Sequence, residues 1–75
     1  MEVEEEFKIH TYLKADLAHL YNPNMPVVSA MRKLRRWIRR NEDLYDKMYE
    51  SKEGKNDHTY TRRQVQLIVT YLGPP

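Results

Sequence analysis

The stretch Val27–Arg40, VVSAMRKLRRWIRR, decides how the rest of the chain must be arranged. Wound at about 100° per residue, it gathers Val27, Ala30, Met31, Leu34, Trp37 and Ile38 on one side. Arg32, Lys33, Arg35, Arg36, Arg39 and Arg40 gather on the other. An apolar stripe of that width belongs against a core. The reverse side carries six of the thirteen Lys and Arg residues of the chain. The segment therefore predicts a central amphipathic helix whose basic face is turned outward.

Working towards the N-terminus, KADLAHLY (residues 14–21) predicts a short helix. Leu13, Leu17, Leu20 and Tyr21 recur at helical spacing, Ala18 permits a close neighbour, and Asp16 sits where the helix dipole favours an anion. The run Asn22-Pro23-Asn24-Met25-Pro26 ends it, because Pro23 disfavours helical geometry at Asn22. Pro26 is tolerated in the first turn of the central helix. Ahead of these, Phe7, Ile9 and Thr11 alternate with Lys8, His10 and Tyr12, which predicts a short extended segment. No partner strand is evident, so the pattern argues against a true sheet. Residues 1–6 contain four Glu and read as a disordered acidic arm, either a solubilising tip or a weak competitor for the arginines.

Towards the C-terminus, Arg39 and Arg40 suit the end of one helix, and Asn41, Glu42 and Asp43 suit the start of another. Leu44, Tyr45 and Met48 then form the apolar side of a third helix. The polar run SKEGKND (residues 51–57) is a loop with Gly54 at its turn. Thr61-Arg62-Arg63-Gln64 fits a capping box, Val65, Ile68, Val69 and Leu72 make a buried stripe, and Gly73-Pro74 is a stop. The fold class that follows is all-α: a compact three- to four-helix domain over residues 7–75. It has a helix-turn-helix-like core and a short N-terminal extended segment. Leu17, Leu20, Met31, Leu34, Ile38, Val65, Ile68 and Leu72 are expected in one core.

Composition narrows the function. The 75 residues allow one domain, with 40% hydrophobic residues to fill its core. There is no Cys, hence no thiolate chemistry, and a cytoplasmic location is the default expectation. No apolar run approaches the roughly 18 residues of a membrane span, and the acidic N-terminus is unlike a secretory signal. His10, His19 and His58 lack the spacing of helical metal ligands. No serine sits in a nucleophile elbow, and no glycine-rich phosphate loop is present. An enzyme, a metal and a cofactor are therefore not expected.

The basic face can be read in three ways. A solvated helix face explains one or two arginines, since Arg is a good helix former. It explains poorly six cations and no acid within residues 32–40. A short helix, a turn and a longer basic helix follow the order of a helix-turn-helix, whose second helix enters the major groove of double-stranded DNA. Arginine suits guanine edges, and both cations suit phosphate. The alternative is a protein-interaction module in which the face docks an acidic protein partner, with Tyr45, Tyr49, Tyr60 and Tyr71 as interface aromatics.

Two resemblances bear on this choice. Residues 10–37, HTYLKADLAHLYNPNMPVVSAMRKLRRW, are similar to the start of MerR-like and excisionase-like DNA-binding domains. The shared features are Tyr12 before the first helix, the Asp16-Leu17-Ala18 core and the Leu34-Arg35-Arg36-Trp37 ending. Residues 58–73, HTYTRRQVQLIVTYLG, resemble a later helix of the same superfamily. The turn between the two helices is longer here and holds two prolines, and no compact wing follows Trp37. That likeness implies a helix-turn-helix-like core, and a DNA-facing role for the basic positions Arg32, Lys33, Arg35, Arg36, Arg39 and Arg40 only. Over residues 7–75, the TY-K-acidic-LA-LY opening, the L-RWIRR centre and the YLG-P close resemble a family of small gut-bacterial proteins of unknown function.

Overall fold

The central helix, α2 (Val27–Arg40), buries Ala30, Leu34 and Ile38. The structure, a computed structural model, describes residues 7–50 and 57–75. The acidic arm expected over residues 1–6, and all but the last residue of the loop containing Gly54, lie outside the described residues. Around α2 the order is β1 (Tyr12–Leu13), α1 (Lys14–Tyr21), α2, α3 (Glu42–Tyr49), β2 (Thr59–Tyr60) and α4 (Arg62–Leu72). The fold is mostly helical, as expected, with four helices among the described residues and one minor two-stranded ladder.

The helix boundaries follow local chemistry. α1 stops at Asn22, whose N–H donates to the Ala18 carbonyl at 3.0 Å, immediately before Pro23. Pro26 stands at the N-cap of α2, one place earlier than the first-turn position expected for it. It has no side-chain cap to offer, but its carbonyl accepts the first helical bond, from the Ala30 N–H at 2.9 Å. The break between α2 and α3 falls at Asn41. Its Oδ1 accepts from the Leu44 N–H at 3.2 Å, satisfying an otherwise orphaned donor. Arg39 and Arg40 close α2, while Glu42 and Asp43 open α3, each complementing its dipole end.

α4 begins with the capping box. Thr61 Oγ1 accepts from the Gln64 N–H at 3.3 Å, and Gln64 Oε1 accepts from the Thr61 N–H at 3.1 Å. Gln64 is fully buried, and its Nε2 donates to the Met48 carbonyl at 3.1 Å. Both ends of a buried amide are thus occupied, which ties the start of α4 to the end of α3. At the far end, Gly73 ends the helix at φ 84°, a left-handed conformation that favours glycine.

The ladder corrects the expectation that no sheet forms. β1 and β2 run antiparallel, with Tyr12 opposite Tyr60 and Leu13 opposite Thr59. The Lys14 N–H also donates to the His58 carbonyl at 2.8 Å. Strands of two residues are too short to show an alternating pattern, so β2 leaves no trace in the sequence. Of the extended stretch expected over residues 7–12, only Tyr12 enters the ladder. Its ring stacks on His10 and Phe7, with centroids 3.9 Å and 5.3 Å away.

The core contains Leu17, Leu34, Ile38, Val65 and Ile68 as expected, together with Ala18, Ala30, Leu44, Met48 and Tyr60. Met31 and Leu72 are partly buried against it. Leu20 and Val27 are corrections, since they are 47% and 41% exposed. On α1, Leu17, Ala18 and Tyr21 turn inward and leave Leu20 on the flank of the helix. Val27 is the first residue of α2, at the edge of the packed region. Trp37 is half-buried and meets the Tyr21 ring edge-on at 6.4 Å. The Tyr21 hydroxyl donates to the Gly73 carbonyl, joining the end of α1 to the end of α4.

Two outcomes follow from this packing. Leu34→Ala removes a fully buried side chain and is expected to cost about 2–5 kcal/mol in urea unfolding, whereas Leu20→Ala is expected to cost less than about 1 kcal/mol. Equal losses would contradict the core. The second outcome concerns pH. Burial pushes the hydroxyls of Tyr21 and Tyr60 up to about 12 from an ordinary 10.0. Above pH 10 the unfolded chain releases these protons first, so the stability they confer is present below 10 and is lost as pH rises towards 12. Urea midpoints measured from pH 8 to 12 are expected to fall over that window, less steeply in Tyr60→Phe.

Candidate anion-binding surface

Burial of Leu34 and Ile38 fixes the rotation of α2 and so fixes where its cations go. Arg32, Arg35, Arg36, Arg39 and Arg40 are exposed, and Lys33 is half-buried. Among the described residues, the ion pair within 4.0 Å is Arg63–Glu50 at 3.8 Å, so none of the six cations of α2 is neutralised by a described carboxylate. At about 100° per residue the six spread over more than one direction. Arg32 and Arg36 occupy the outward crest, Arg35 and Arg39 one shoulder, and Lys33 and Arg40 the other.

The shoulders differ chemically. Lys33 Nζ lies 5.4 Å from the centroid of the Trp37 ring, a cation–π arrangement that restrains it. Arg40 borders an open depression shared with Trp37, Arg39, Asn41, Glu42 and Asp43. On the opposite shoulder, Arg35 and Arg39 face α3 and the ladder. There they line a cleft of about 280 Å³ with Lys14, Ile38, Tyr45, Tyr49 and Tyr60. The residues come from α1, α2, α3 and β2, and the packing of the four elements brings them together.

Electrostatics in the cleft reflect crowding of like charge and shortage of water. Burial, and then repulsion by Arg35, hold the Lys14 ammonium below its ordinary range, with Asp57 opposing. Burial raises the Tyr49 hydroxyl, as does Tyr45, while Arg35 and Arg39 pull it down. The Tyr45 and Tyr49 rings are 5.0 Å apart, and Lys14 Nζ stands 5.3 Å from the Tyr60 centroid. Tyr60 is 5% exposed as a residue, and its hydroxyl makes no hydrogen bond among the described residues; the buried side-chain polar atom left without a partner among them is Asn22 Nδ2.

The helical period places the six cations of α2 opposite its apolar stripe, but their division into a crest and two shoulders, and the presence of Lys14 beside Arg35, emerge only from the packing. The i, i+4 spacing of Tyr45 and Tyr49 was an available signal for one wall of the cleft. Tyr71, grouped with these tyrosines by composition, stands apart and accepts from Lys47 Nζ at 2.7 Å. Among the described residues no group of His, Asp and Glu could hold a metal ion, and no helix is long and apolar enough to cross a membrane.

No curated protein and no solved structure matches the chain. A family described as a domain of unknown function, DUF4248, matches residues 8–75, which include every described element from β1 to α4. The chain therefore belongs to the DUF4248 family.

Proposed function

We propose that this domain binds double-stranded DNA as an accessory or regulatory protein, with α2 as the contacting element. The observation that carries the reading is the spread of six cations, five of them exposed and none paired with a described carboxylate, over the crest and both shoulders of one helix. Arg32 and Arg40 are about 12 Å apart along the axis, at about 1.5 Å per residue. A major groove is about 12 Å wide and admits one helix. Arg35 and Arg39 would then face the phosphates of one strand, and Lys33 and Arg40 those of the other. Arg32 and Arg36 would point to the base edges or the groove floor. The order of a short α1, a turn and a longer α2 fits a helix-turn-helix-like use of the pair.

A second reading is docking of an acidic protein partner. It draws support from apolar exposure beside the basic face. Val28 is 63% exposed at the start of α2, and Leu20 and Val27 flank the same turn. Such residues can anchor an interface.

Fluorescence anisotropy with a duplex at several salt concentrations separates the two. For roughly three to five phosphates contacted, log K is expected to fall linearly with log salt at a slope of about −3 to −4.5. Arg32→Ala and Arg36→Ala are each expected to weaken binding while leaving the melting temperature close to that of the parent. Absence of binding at low salt would reject the duplex and leave the acidic protein partner.

A further inference from the structure

We propose that the cleft lined by Lys14, Arg35, Arg39, Tyr49 and Tyr60 is a binding site for a single phosphate group. Three cationic side chains converge there from two helices, around a space of about 280 Å³. Charge alone would accept any anion, and the phenols narrow the choice. Tyr49 and Tyr60 both line the cleft, and their hydroxyls make no hydrogen bond among the described residues. Each can donate to an anionic oxygen. A phosphate group offers three acceptor oxygens and a charge of about −1.5 to −2, which matches several donors converging on one point. A carboxylate offers two oxygens and one charge. A space of about 280 Å³ is ample for a phosphate group.

The electrostatics agree with this assignment. Lys14 is held below its ordinary range by burial first and then by repulsion from Arg35, with Asp57 opposing; a bound dianion would offset the repulsion from Arg35. Arg35 and Arg39 present planar forks of N–H donors suited to phosphate oxygens. The phosphate could belong to a nucleic-acid strand lying on α2 or to a free phosphomonoester. The chemistry at the cleft is the same in both cases.

The test is calorimetric titration of the full chain with inorganic phosphate, at constant ionic strength set with chloride. Saturable one-to-one binding is expected. Arg35→Gln is expected to weaken it by about tenfold or more, because a charge-assisted hydrogen bond is worth at least that factor. Arg62→Gln removes the same charge from α4, outside the cleft, and is expected to change binding less than about twofold. Melting curves check that each variant folds. Tyr49→Phe deletes only a hydroxyl and is expected to weaken binding as well, so the inference does not hang on one arginine. Heats that do not saturate, or equal affinities for parent, Arg35→Gln and Tyr49→Phe, would overturn the site. Adding saturating phosphate to a preformed duplex complex then assigns the source. Displacement places a strand phosphate in the cleft, and persistence of the complex places a free phosphomonoester there. Saturable phosphate binding in a chain that binds no duplex would reject the duplex reading and leave this site standing.

Discussion

The rotation of α2 about its own axis is the constraint on which the rest of the structure depends. Ala30, Leu34 and Ile38 must face inward, since burying each large aliphatic side chain contributes about 1.5–3 kcal/mol to a domain whose total stability is small. Once those residues are inside, the 3.6-residue period leaves no choice for the cations. Arg32 and Arg36 take the crest, and the other four take the shoulders. The charged surface is thus a geometric consequence of the core. A substitution that disturbed the seating of Leu34 would also re-aim the arginines.

Polar devices then fix how the remaining helices close around α2. Asn41 ends one helix and caps the next, its Oδ1 taking the Leu44 N–H that the new helix would otherwise leave unpaired. The amide of Gln64 serves the cap of α4 on one side and the last turn of α3 on the other. A buried amide satisfied at both ends specifies a register between two helices, which apolar packing alone leaves looser. The short ladder of Tyr12 and Leu13 with Thr59 and Tyr60 carries Tyr60 under α2. That placement closes the cleft beside Arg35 and Arg39.

Much of this was legible in the sequence because it is local. The bounds of α1 and α4 follow from Pro23, Thr61, Gln64 and Gly73, each acting within a few residues of its own position. The division at Asn41 is local for the same reason. Features that join distant parts of the chain were hidden. β2 has no pattern of its own and exists because β1 lies beside it. Leu20 looks like a core residue in a periodic plot, but Ala18 and Tyr21 take the inward direction instead. Lys14 is 21 residues from Arg35 in the chain, and only the packing of α1 on α2 makes them neighbours. The basic residues themselves were evident. Their separation into a crest and two unlike shoulders required the fold.

The central claim is that the outward side of α2 is a contact surface for duplex DNA and more than a solvated face. Amide chemical-shift mapping during titration with an unlabelled duplex tests it most directly, because it reports position as well as binding. If the duplex docks on α2, the largest shifts are expected along α2 from Val28 to Arg40 and at Lys14, with little change across the outer side of α4 around Gln66 and Thr70. Shifts centred on α4, or spread evenly over the molecule, would contradict it.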